Sequence, residues 1–85
     1  MHELSIAQDI VETVKRYLPP GEMRSVKSVK LEIGHLTRIT LDPLRFCFEL
    51  AGRGTAVEGA DLEIQQVSGD EIRVVEVEVE EKAPQ

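Results

Sequence analysis

Near the start of the chain, Leu4, Ala7, Ile10, Val11, Val14 and Leu18 recur at intervals of three and four. That spacing stacks them on one face and predicts a helix over about residues 4–18. Glu3, Asp9 and Glu12 stand near its start and Lys15 and Arg16 near its end, an order that complements the helix dipole. Pro19-Pro20-Gly21 supplies a stop. Residues 27–34 alternate instead. Val29, Leu31 and Ile33 point one way and Lys30 and Glu32 the other, which reads as a half-buried strand ending at Gly34.

A second helix is expected over about residues 42–52. Asp42 suits its N-cap, Pro43 its first position, and Gly52 and Gly54 its end. Leu44, Cys47, Phe48 and Ala51 form the apolar stripe, with Cys47 read as a small core residue. Ala60, Leu62 and Ile64 then alternate as a second strand. After Ser68-Gly69-Asp70, a third strand begins, but its parity changes once. Ile72 and Val74 share one face, and Val75, Val77 and Val79 the other, so a β-bulge near Val74–Val75 is expected. The short link makes strands two and three an antiparallel hairpin. The last residues, 81–85, are expected to fray.

The order helix, strand, helix, strand, strand predicts one α+β domain over residues 1–85. Its fold is a two-layer sandwich, a three-stranded antiparallel sheet with two helices on one face. Val29, Leu31, Ile33, Leu62, Ile64 and Val77 are expected to face the helices.

Charge narrows the function. Ten Lys and Arg against sixteen Asp and Glu give a net charge of −6. That argues against nucleic acid and against an anionic membrane surface as partners. The first residues lack a signal peptide's pattern and the apolar runs are too short for a membrane span, so a cytoplasmic location is expected. One Cys and two His fall short of a closed structural zinc site. No nucleophile pairs with a base, and the alternating acids of the last strand read as a solvated face, so no enzyme is expected.

The opening Met1-His2-Glu3 is the chemically pointed feature. His2 is too large to favour removal of Met1, which leaves a free α-amine with a pKa of about 7.7–8.0. The amine, the His2 backbone nitrogen and imidazole, and the Glu3 backbone nitrogen can together offer a planar nitrogen set. Such a set suits Ni(II) or Cu(II), whereas Zn(II) prefers a tetrahedron. The plain alternative is an exposed terminal histidine.

Met1-His2-Glu3-Leu4-Ser5 followed by Ala7 resembles the opening of the HypA/HybF family of hydrogenase/urease nickel-incorporation proteins. The resemblance continues through Leu31-Glu32-Ile33-Gly34, Phe46-Cys47-Phe48-Glu49-Leu50, Gly59-Ala60 with Leu62-Glu63-Ile64, and the valine-rich last strand. It implies a nickel metallochaperone whose ligands are Met1, His2 and Glu3. The Glu3 carboxylate has other possible uses: orienting the His2 ring, assisting a partner, or favouring the helix start. Leu31, Ile33, Phe46, Phe48, Leu62 and Ile64 are expected to be core.

The implied cargo is Ni(II), and the implied partners are a HypB-like GTPase and a NiFe-hydrogenase large subunit, with urease as another acceptor. Two departures stand out. The family's zinc module lies between its second and third strands, whereas the interval Gln65 to Asp70 holds no Cys. The family usually has an acid after Leu-Glu-Ile-Gly; here His35 stands there, read as a polar loop residue or an auxiliary ligand. The missing module motivates an alternative, a HypA-like interaction or regulatory module that has lost metal delivery. A monomer or a dimer exchanging the terminal strand is expected.

Overall fold

The computed structural model describes residues 2–18 and 25–80. The expected stop at Pro19–Gly21, the frayed tail and Met1 lie outside the described residues. The elements run α1 (Glu3–Tyr17), β1 (Val26–Gly34), a single 3₁₀ turn (His35–Thr37), α2 (Leu41–Gly52), β2 (Asp61–Val67) and β3 (Ile72–Val79). Every expected helix and strand is present, with bounds shifted by a residue or two.

The strand order corrects the hairpin. The sheet runs β2-β1-β3, so β2 and β3 are both edges. β1 pairs with β2 in parallel and with β3 antiparallel, which makes the sheet mixed. Residues 35–60 carry α2 and return the chain to the other end of β1, as a parallel pair requires. The link 68–71 then passes over the end of β1, spanning two strand spacings of about 4.8 Å each. The physical reason for this order is burial. Val26, Val29, Leu31 and Ile33 of β1 are at most 3% exposed, and a central position covers them from both sides.

Two glycines make the crossing possible. A Cβ on Gly34 would collide with the Gly69 carbonyl and lie 2.7 Å from the Asp70 nitrogen. Gly69 itself has a φ of 110°, open to glycine and strained for other residues. The crossing is tied by Gly34 N–H to the Glu71 carbonyl at 2.8 Å and Leu36 N–H to the Gly69 carbonyl at 2.9 Å.

The expected bulge is present in β3. Lys30 pairs with Glu76 and Leu31 with Val74, so Val75 is the extra residue. It projects outward, and Ile72, Val74, Val77 and Val79 all pack against the core. A second irregularity lies at Lys27 in β1.

Both helices cover the Val29–Leu31–Ile33 face. α1 packs on α2 and on β3, and Ile6, Ala7, Ile10, Val11 and Val14 fill its buried side. Ile6 replaces the expected Leu4, which is 44% exposed. Leu4 sits at the flank of the buried arc, where the first turn reaches solvent. Leu44 and Phe48 of α2 are buried, and Cys47 and Ala51 pack beside them. Phe46 departs from the expected core and is 62% exposed. Two residues beyond Leu44 is about 200° around a helix, so Phe46 faces away from the sheet. The N-cap of α2 is Thr40 rather than Asp42, so Asp42 and Pro43 fall within the first turn, where amides lack intrahelical acceptors anyway.

Among the described residues, no helix covers the other sheet face. Arg73 donates to Glu32 at 2.9 Å there, and that hydrogen bond and charge raise the guanidinium's pKa above its ordinary value. Among the described residues, no helix is long and apolar enough to cross a membrane.

Candidate metal centre

The first helical turn decides what the N-terminus can offer. His2 is the N-cap of α1, extended at φ −88° and ψ 124°, and its side chain is exposed. Its carbonyl accepts from Ile6 N–H at 3.3 Å, which opens the helical ladder. Helix geometry leaves the first N–H groups, Glu3's among them, without an intrahelical acceptor. No side-chain hydrogen bond caps the turn. The His2 ring and the Glu3 backbone nitrogen therefore sit next to each other on an accessible helix start. Glu3 opens α1 and is half-buried. Met1 lies outside the described residues.

The chain reversals place this terminus in the molecule. Ile6 and Ile10 line one shallow apolar recess with Ile72 and Val74, so the front half of α1 lies beside the start of β3. The start of β3 adjoins Ile33. The helix start is thus at the Gly34 end of the sheet, the end where the 68–71 link crosses.

His35 is also at that end. It opens the 3₁₀ turn, is exposed, and its Nδ1 lies 3.3 Å from the Val67 carbonyl. It stands as a polar residue at a chain reversal. Among the described residues, no three His, Cys, Asp or Glu side chains come together as a metal site. A set built from backbone nitrogens and one imidazole forms no such cluster. Cys47 is half-buried on the core side of α2, as a small packing residue. Sequence reasoning missed one polar contact, Arg45 of α2 donating to the Leu62 carbonyl. No motif signals it, because the two residues meet only when α2 lies over β2.

A family model described as hydrogenase/urease nickel incorporation, metallochaperone, hypA, matches residues 1–72. The chain belongs to the HypA family. A hydrogenase maturation factor HypA of Streptomyces avermitilis is 43% identical over 70 residues, covering 81% of this chain and 53% of that protein. The Azotobacter chroococcum factor is 45% identical over 69 residues, covering 81% of this chain and 61% of its own length. The archaeal factor of Archaeoglobus fulgidus is 40% identical over 70 residues, covering 82% and 64% respectively. The chain thus matches only about half to two thirds of each HypA relative's length. The match takes in α1, β1, α2 and β2 and reaches the first residue of β3.

Proposed function

We propose that this domain is a nickel metallochaperone that holds Ni(II) at its N-terminus and passes it to the precursor of a NiFe-hydrogenase or a urease. The observation carrying this reading is the exposed His2 at the N-cap of α1, next to a helix start whose first amides the helix does not use. The ligands are the Met1 amine, the His2 backbone nitrogen and imidazole, and the Glu3 backbone nitrogen. Two deprotonated amides balance the charge of Ni(II), and the positive end of the α1 dipole favours those anionic nitrogens. The metal needs no helical hydrogen bond to break. An accessible terminus also suits a carrier, since cargo enters and leaves by ligand exchange.

The partners we propose are a HypB-like GTPase and a hydrogenase large subunit, met in the cytoplasm. The domain performs no catalysis of its own. It works without structural zinc, because the link at Ser68–Glu71 stands where the family's zinc module would be and contains no Cys.

Nickel titration of the tag-free protein tests this reading. The expected result is one Ni(II) per chain, lost in His2→Ala and lost when a residue is added before Met1. Equal nickel affinity in the parent and His2→Ala would overturn the terminal site and favour an interaction module without metal delivery.

A further inference from the structure

The backbone at His2 sets a condition on the terminal ligand set. Two consecutive amide nitrogens hold one metal only by closing a five-membered ring through the Cα and carbonyl carbon between them. The torsion about the carbon–carbon bond of that ring is ψ of the first residue. Nitrogens in adjacent positions about 2.0 Å from a first-row metal lie about 2.8 Å apart. Standard backbone dimensions bring the two nitrogens to about 2.6–2.8 Å when ψ lies between about 0° and the helical −42°.

His2 stands elsewhere. Its ψ is 124°, which sets its own nitrogen and that of Glu3 about 3.5 Å apart, with the two peptide planes turned away from each other. In this conformation the pair cannot share a metal at right angles. Rotation about the His2 Cα–C bond removes the obstacle, and the fold leaves that bond free to turn. No side-chain hydrogen bond caps the helix, and His2 is exposed. The His2 carbonyl, which accepts from Ile6 N–H at 3.3 Å, lies on the helix side of the turning bond. It stays in place while the His2 nitrogen and ring swing. At a φ of −88°, extended and helical ψ are both allowed.

We propose that nickel loading turns His2 about its Cα–C bond from the extended region into the first turn of α1, lengthening the helix by one residue. This rests on the terminal nickel reading and deepens it. The Glu3 amide gives its proton to water as it takes the metal, and the ring so closed locks ψ. The loaded terminus therefore has a backbone shape of its own. A partner that binds this shape better selects the loaded carrier through that difference in affinity.

Glu3→Pro tests the rotation. Proline suits the first helical position, where the amide makes no helical bond, so the fold is kept. It removes the nitrogen at position 3 as a donor and holds the preceding residue extended. Glu3→Pro is expected to bind nickel more than about 100-fold more weakly than the parent, since losing even the outer partner of a ligand costs roughly 10- to 100-fold. Glu3→Ala keeps the amide and is expected to bind like the parent. A crystal structure of the tag-free protein with nickel is expected to show His2 at a ψ between about 0° and −42°. Circular dichroism checks that the variants are folded, and the crystal structure decides whether or not they are.

His2→Ala separates this proposal from the reading beneath it. If His2→Ala loses nickel while Glu3→Pro keeps it, the terminal site stands and the rotation is overturned. If His2→Ala binds as the parent does, the terminal site fails and the rotation with it. Equal losses in Glu3→Ala and Glu3→Pro would assign the effect to the carboxylate and overturn the proposal. So would a nickel-loaded His2 still at its extended ψ.

Discussion

His2 combines exposure with a place at the head of α1, and its chemistry there depends on protons. The amine, the imidazole and the two amides must all be free of competing protons before they bind a metal. Nickel affinity is therefore expected to fall steadily as pH drops below about 7.7, the lower end of the ordinary amine range. Isothermal titration at several pH values checks this, and an affinity flat from neutral to mildly acid pH would count against the nitrogen set. Cys47→Ser is expected to leave nickel binding intact, because Cys47 packs in the interior side of α2. Its visible spectrum with nickel should match the parent, without a lost thiolate band.

Phe46 and Gly34 show how position decides consequence. Phe46 is exposed, and Phe46→Ser is expected to change stability by no more than about 0.5 kcal/mol. Gly34 is the opposite case. Gly34→Ala forces the Gly69–Asp70 backbone to move, and a loss of about 1–3 kcal/mol or more is expected in urea unfolding. A variant as stable as the parent would show that the crossing has slack.

Among the elements, β1 carries the fold. Leu31 is fully buried at its centre between β2 and β3. Leu31→Ala is expected to cost about 2–5 kcal/mol, measured by the same unfolding transition. Val75 lies in the same layer of the chain as the core valines, yet the bulge turns it outward. Val75→Thr is expected to leave stability nearly unchanged, whereas Val77, packed on the core, would not tolerate a hydroxyl as easily.

For the whole molecule, stability is expected to come from the apolar layer between helices and sheet, at about 25 cal/mol per Å² buried. Chelator should leave the melting temperature unchanged, and elemental analysis should find no stoichiometric zinc. One tightly held zinc per chain, or unfolding by chelator, would contradict that expectation. The surface charge of −6 also predicts no retention on nucleic-acid columns at physiological salt.

Local patterns carried much of this in the sequence itself. The spacing of Ala7, Ile10, Val11 and Val14 determined α1, and the alternation of Val29, Leu31 and Ile33 determined β1, because helical and strand periods differ. The parity break at Val74–Val75 disclosed the bulge, since an odd residue must leave the ladder. Met1-His2-Glu3 was legible as a candidate ligand set because its donors are consecutive. Strand order was not legible. A short link reads as a hairpin whenever only its length is considered, and only three-dimensional burial of β1 shows that residues 68–71 must cross it. Gly34 and Gly69 meet only in that crossing, Arg45 reaches Leu62 only because α2 lies over β2, and β2 and β3 become edges only once β1 stands in the middle. Periodicity is a property of neighbours along the chain, whereas order, edges and crossings arise from contacts between residues far apart in it.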